Sequence, residues 1–189
     1  MDTPKLLTDL GIGGCFNFEK DAHIFEDVIS IVKPKKILET GFFCGLSSFI
    51  WLYLSQADVT SVDPMVNLYD PEVKHDGKIE NVQKLRDAFP NRFTFIQKDS
   101  CFVRPYLIGQ QFDLFLVDGD HWERGIMNDL QMAIDLKIPY ILLDDFVTEV
   151  EYYFVMRFAS HFTQVKMYDR ADMFRGKPIP MGLFKTKLT

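Results

Sequence analysis

Residues 36–51 read Lys36-Ile37-Leu38-Glu39-Thr40-Gly41-Phe42-Phe43-Cys44-Gly45-Leu46-Ser47-Ser48-Phe49-Ile50-Trp51. A short apolar run leads into two glycines spaced Gly41-x-x-x-Gly45, and a second apolar run follows Ser47 and Ser48. The pattern predicts a strand, a glycine turn and a helix. Glycines let the backbone turn sharply and approach a ligand closely. The helix that opens after them offers unpaired N–H groups and the positive end of its dipole. A nucleotide seat is therefore expected at the turn. The dinucleotide fingerprint Gly-x-Gly-x-x-Gly is absent, because position 43 is Phe.

Composition bounds what surrounds this turn. At 189 residues, with 47% hydrophobic and 25% charged residues, the chain suits one soluble domain with a sizeable core. A net charge of −6 argues against broad contact with nucleic acid or anionic lipid, which select for Lys and Arg. No apolar run has the length of a membrane span, and Met1-Asp2-Thr3-Pro4-Lys5 lacks the shape of a signal peptide. Cys15, Cys44 and Cys101 are scattered and form neither a disulfide framework nor a zinc pattern. A reducing, cytoplasmic location is the expectation.

Upstream of the turn, residues 1–34 are read as an N-terminal cover segment with a Gly-rich bend at Gly11, Gly13 and Gly14, then a helix over 21–32. Its apolar positions Ile24, Phe25, Val28, Ile29 and Val32 recur at helical spacing, and Pro34 stops it. Downstream, Val59-Thr60-Ser61-Val62 is a β-branched strand that stops at Asp63-Pro64. An acid at that place holds ribose hydroxyls in Rossmann-like folds, since a carboxylate can accept both hydrogen bonds; the competing reading is a plain Asp-Pro turn. A polar stretch (65–77), a helix marked by Ile79, Val82, Leu85 and Phe89, and a strand over 94–97 lead to Asp99 and Ser100. These two suit either an adenine contact or a helix N-cap.

The segment Phe112-Asp113-Leu114-Phe115-Leu116-Val117-Asp118-Gly119-Asp120-His121 is a buried strand delivering Asp118, Asp120 and His121 to its carboxyl end. After a helix marked by Ile126, Met127, Leu130 and Ile134, the strand 139–143 also ends in acids, Asp144 and Asp145. Asp is expensive to bury unpaired, so something cationic is expected between the two strand tips. A helix over 151–161, a strand over 163–168, a loop over 169–180 and a strand over 181–187 complete the chain. That last loop is too short for a parallel crossover, so the seventh strand must run antiparallel to the sixth. No repeat or linker interrupts the pattern, and residues 1–189 are read as one domain.

Taken together, Glu39-Thr40-Gly41-x-x-x-Gly45-x-Ser47-Ser48, the Asp63 ending, Val117-Asp118-Gly119-Asp120-His121 and Leu143-Asp144-Asp145 resemble the class I S-adenosylmethionine (SAM)-dependent methyltransferases. The likeness is to the catechol and caffeoyl-CoA O-methyltransferases and, more closely, to methyltransferase family 24. It implies an α/β fold, a Rossmann-like seven-stranded, mostly parallel sheet with an antiparallel last strand and helices on both faces. It further implies an enzyme that binds SAM through Glu39, Gly41, Gly45, Ser47, Asp63, Asp99, Ser100 and Asp118. In metal-dependent relatives Mg²⁺ or another divalent cation is held by residues corresponding to Asp118, Asp144 and Asp145, and oxygen-only ligands suit such a hard cation. Asp145 stands where the catechol enzymes have Asn, which makes this site more acidic.

The resemblance also sets His121 where the catechol enzymes carry a catalytic Lys, three residues beyond Asp118. An imidazole there could take the proton of a substrate hydroxyl during O-methyl transfer to a small molecule or sugar. Asp118 and His121 are thus the expected catalytic pair. Arg170, Phe174, Arg175 and Lys177 on the 169–180 loop hint at an anionic or sugar-like acceptor. Two other readings are a SAM-binding module without catalysis and an NAD-linked oxidoreductase; oligomeric state is not legible. Fold analogy alone establishes no activity, so the groups themselves must carry the chemistry.

Overall fold

The computed structural model describes residues 2–14, 16–66, 78–170 and 178–187. Its strands are β1 (Lys36–Thr40), β2 (Asp58–Val62), β3 (Phe93–Ile96), β4 (Leu114–Val117), β5 (Tyr140–Leu143), β6 (Phe162–Arg170) and β7 (Ile179–Thr186). They form a seven-stranded sheet in the order β3-β2-β1-β4-β5-β7-β6. The four pairings from β3 to β5 are parallel, and β7 is antiparallel to β5 on one side and to β6 on the other. Because β7 lies between them, β6 points the same way as β5 and ends at the same edge. The antiparallel partner of the sixth strand was expected; its insertion beside β5 was not legible.

The α-helices are α1 (Lys5–Leu10), α2 (Phe18–Val32), α3 (Leu46–Leu54), α4 (Glu80–Ala88), α5 (Arg104–Leu107), α6 (Glu123–Asp135) and α7 (Thr148–Tyr153). Period-two alternation along the central strands divides the core between the two sheet faces. Ile37, Leu114, Leu116 and Leu142 pack with Phe25, Val28, Trp51 and Leu85 from α2, α3 and α4. Leu38, Phe115, Val117, Ile141 and Leu143 pack on the other face with Leu107, Ile126, Leu130 and Phe154. Helices thus cover both faces. α3 is buried from Leu46 through Leu52, as its continuous apolar run requires.

The last two strands run over 162–170 and 179–186 rather than the expected 163–168 and 181–187, and two helices differ as well. α2 starts at Phe18 rather than residue 21, because Asn17 caps it by accepting the Lys20 N–H at 3.1 Å. The helix expected over 151–161 is α7 followed by a π turn (Phe154–Phe158) and a 3₁₀ turn (Ala159–His161). Here Phe154 packs against Phe146, Phe162 and Phe184. No helix among the described residues is long and apolar enough to cross a membrane.

Candidate functional site

The strand order reverses between β1 and β4, the place where an open α/β sheet leaves a crevice beyond its strand tips. β1 runs out at Thr40 and the chain turns through Gly41, at φ 90°, to Gly45, at φ 84°, which caps the start of α3. Asp63, at the tip of β2, fastens this turn. Its Oδ2 accepts the N–H groups of Phe42 and Phe43 at 2.8 and 2.9 Å, and its Oδ1 accepts that of Met65 at 2.6 Å. From outside, the Lys78 N–H donates to the Phe43 carbonyl and the Asn81 side chain to the Cys44 carbonyl, each at 2.8 Å.

Beneath the turn lies Glu39, fully buried, with the Ser48 hydroxyl donating to its carboxyl. Burial raises this carboxyl to about 7, against hydrogen bonds from Ser48, Ser61 and Ser47 that pull it down.

A cavity of about 440 Å³ opens above the turn. Gly41, Phe42, Phe43, Ser47 and Asp63 line one side; Asp99, Ser100 and Cys101 line a second; Asp118, Asp120, His121 and Trp122 line a third; Gly14 and Phe16 reach it from the N-terminal segment. Asp99 serves as an N-cap, accepting the Cys101 N–H at 2.8 Å through Oδ1, and pairs with Arg124 at 3.2 Å through Oδ2. Ser100 is tied inward through Asn128, which donates to it at 3.3 Å and to Asp129 at 2.9 Å. Asp129, fully buried on α6, also accepts the Thr40 hydroxyl at 2.7 Å, so one carboxylate links the tip of β1 to the Ser100 loop. Burial raises Asp129 to about 6 despite its bonds to Thr40, Ser100 and Asn128.

The acids of the β4 and β5 tips come together as expected, and the cation between them is Arg170. Its Nε donates to Asp144 Oδ1 at 3.0 Å and its Nη2 to Asp145 Oδ1 at 2.9 Å, while Phe16 covers the guanidinium at 4.8 Å. Burial works against its charge, but Asp144, Asp118 and Asp145 together hold its proton affinity above the usual guanidine range. Burial and the charge of Asp144 push Asp118 well above the ordinary carboxylate range. Asp144 is raised by burial too, while the charge of Arg170 pulls it back down. His121 stands between two of these acids, with Nε2 3.7 Å from Asp118 Oδ1 and Nδ1 3.8 Å from Asp145 Oδ2. Both distances exceed a hydrogen bond and fall within ion-pair range.

Of the residues picked out in the sequence, Gly41, Ser47, Asp63, Asp99, Ser100, Asp118 and His121 border one cavity. Gly45 shapes the turn without lining it. Glu39 lies behind the turn and faces serines rather than the cavity, because a carboxylate there is sealed under α3. Asp144 and Asp145 stand outside the lining, engaged by Arg170. Arg170 itself corrects the reading of the 169–180 loop: it closes β6, is buried, and faces the acids instead of an anionic acceptor. Phe174, Arg175 and Lys177 lie outside the described residues, as does nearly all of the 65–77 stretch. Thr40, Asp129 and Phe16 were not singled out. Asp129 had a signal, since it falls on the buried face of α6 with Ile126, Leu130 and Ala133.

The metal expectation can be tested on the same geometry. Among the described residues no group of His, Cys, Asp and Glu is arranged to hold a metal ion. One oxygen each of Asp144 and Asp145 already accepts a charged hydrogen bond from Arg170. The donor set as arranged does not fit a divalent cation.

Fold and site define an α/β domain with a crevice of about 440 Å³ at the switch point of its sheet. The methyltransferase domain of family 24 matches residues 38–146, and the chain belongs to that family of class I SAM-dependent methyltransferases. Among solved structures it is similar to a putative O-methyltransferase from Klebsiella pneumoniae, with TM-score 0.71 and 15% identity over 98% of this chain and 91% of that one. It is similar also to the O-methyltransferase TomG from Streptomyces achromogenes, solved with SAM, with TM-score 0.72 and 13% identity over 98% and 91%. The N-methyltransferase NodS from Bradyrhizobium japonicum has TM-score 0.62 and 11% identity over 89% of this chain and 96% of that one. At such identities the likeness shows the fold, which serves oxygen and nitrogen acceptors alike. Comparison with curated proteins gives no match.

Proposed function

We propose that the protein transfers the methyl group of SAM to a hydroxyl oxygen of a small molecule, with His121 as general base. The observation that carries this reading is the shared cavity: the glycine turn with Asp63, the Asp99–Ser100 rim, and the Asp118–His121 pair border one space. Its size, about 440 Å³, falls in the range of small-molecule sites. In the transfer a hydroxyl lone pair attacks the methyl carbon, the carbon–sulfur bond breaks, and the sulfonium becomes the neutral thioether of S-adenosylhomocysteine (SAH). The hydroxyl proton passes to the imidazole, and the carboxylate of Asp145 beside it, at 3.8 Å, favours the imidazolium that forms. The protein's main contribution is alignment of nucleophile, methyl and leaving sulfur. Gly14 and Phe16 of the N-terminal segment supply part of the cover.

A divalent cation was expected to share the work of lowering the hydroxyl's proton affinity. With Arg170 on the acids, no step of this reading runs through a metal. Cytoplasmic residence belongs to the same reading and rests on the scattered cysteines. The test is calorimetry with SAH, followed by transfer of labelled methyl from SAM to a panel of catechols, other phenols and sugars. Saturable SAH heat together with label on a hydroxyl supports the reading; no heat from SAH or SAM ends it.

A further inference from the structure

We propose that Arg170 is the resident cation of the acidic nest, standing where a divalent metal would sit, and that methyl transfer by this chain runs metal-free. The last clause rests on the methyl-transfer reading; the first stands on geometry alone.

Topology brings the guanidinium there. β6 ends at the same edge as β5 but is separated from it by β7, with Arg170 paired to Ile179 in register. At a strand spacing of about 4.8 Å, crossing β7 to reach the β5 tip takes a long side chain. Arginine has the length, and its planar fork matches two carboxylate oxygens at once. Nε meets Asp144 Oδ1 at 3.0 Å and Nη2 meets Asp145 Oδ1 at 2.9 Å, and the side chain is only 5% exposed. A hard cation on these acids would need carboxylate oxygens at roughly 2.0–2.6 Å, beside the positive charge the fork already places on Asp144 and Asp145. Guanidinium and metal therefore compete for the same acids, and their like charges oppose joint occupancy. The Phe16 ring over Arg170 at 4.8 Å pins it from the N-terminal segment. Arg170 also lies beyond residues 38–146, the part matched to the family, so this cation is supplied by a separate part of the chain.

Its effect on the reaction is indirect. Asp145 gives Oδ1 to Arg170 and turns Oδ2 toward His121 Nδ1 at 3.8 Å. Arg170 is thus a positioning residue that fixes the carboxylate beside the base.

The test is titration of metal-stripped protein with Mn²⁺, followed by electron paramagnetic resonance, with SAH calorimetry on the same samples. Wild type is expected to show no saturable Mn²⁺ site. Arg170→Met, which keeps the packing against Phe16 and releases the acids, is expected to gain one site. Adding Asp145→Asn to that variant should weaken the new site about ten- to a hundredfold. A merely structural arginine would not hide a metal site. The proposal is overturned if wild type binds one Mn²⁺ that Asp144→Asn weakens, or if Arg170→Met binds SAH normally yet gains no Mn²⁺ site. Should the Met variant not fold, the wild-type titration decides alone, a saturable site at the acids overturning the proposal and its absence upholding it. Failure of SAH to bind, with no Mn²⁺ site present, would remove the methyl-transfer reading and leave Arg170 as the resident cation.

Discussion

Gly41 and Asp118 hold the two central strand tips in backbone contact: a Cβ on Gly41 would lie 1.9 Å from the Asp118 carbonyl oxygen. Gly41 also stands at φ 90°, where an L side chain is strained. The floor of the cavity is therefore set by main chain against main chain, and neither atom can yield as a flexible side chain would. Gly41→Ala must push β4 away from β1. The expected loss of stability is about 2–4 kcal/mol, with SAH binding lost as the turn opens. Thermal melting and calorimetry check this, and an Ala variant melting with wild type would sink it.

Asp63 answers a different question, whether an acid at the β2 tip serves the ribose alone. Its carboxylate already accepts three main-chain N–H groups from the turn and from Met65. Asp63→Asn keeps the shape but turns an amide donor toward some of those donors. Loss of one such buried bond costs about 1–3 kcal/mol, and each kcal/mol lowers the melting temperature of a chain this size by roughly 2–4 °C. The ligand-free variant is therefore expected to melt several degrees lower, besides binding SAH more weakly. A residue acting on ribose alone would leave the ligand-free melting temperature where it was.

The parts of the site that were legible are those that punctuate strands. Gly41, Asp63, Asp118 and the Asp144-Asp145 pair each interrupt an apolar run, and an interruption at a strand tip is visible along the chain. What such an acid does with its oxygens was not visible, because its partners come from other elements. Asp63 faces N–H groups some twenty residues upstream, and Glu39 faces serines under α3. The need for a cation between the β4 and β5 tips followed from the cost of burying carboxylates, yet its identity did not. That depended on β7 slipping between β5 and β6, a choice of strand order that residue patterns do not encode. Read as a loop residue, Arg170 pointed to an acceptor; as the last residue of β6 it faces the acids.

Asp129 gives a pH signature. Its folded-state carboxyl titrates at about 6 from an ordinary 3.8, burial being the main cause. Between those values the folded protein keeps a proton that the unfolded chain has released, so stability falls as pH rises. The penalty is absent below pH about 4 and complete above about 6. It is on the order of 3 kcal/mol, at 1.36 kcal/mol per pH unit. Asp129→Asn cannot ionise, and Glu39 is common to both proteins and cancels in the comparison. The Asn variant should therefore gain on the order of 3 kcal/mol relative to wild type between pH 4 and pH 7, whatever its offset at pH 4. Denaturant unfolding at a series of pH values checks this; a difference that stays flat would show that Asp129 is ionised throughout.

His121 borders the cavity, and its own contacts show no hydrogen bond to either flanking acid. A purely structural histidine would be expected to hold such a bond, whereas a base must keep a nitrogen for the substrate. Gln has a similar reach and can donate and accept hydrogen bonds, but it cannot take up a proton at neutral pH. His121→Gln is therefore expected to lower kcat about 10²- to 10⁴-fold, the usual worth of a general base. SAH affinity and melting temperature should stay near wild type, since no described hydrogen bond of the glycine turn depends on this side chain. Single-turnover transfer of labelled methyl, with SAH calorimetry on the same preparation, separates the outcomes. A fall in both affinity and rate would make His121 part of the donor seat, and an unchanged rate would leave proton removal to another group.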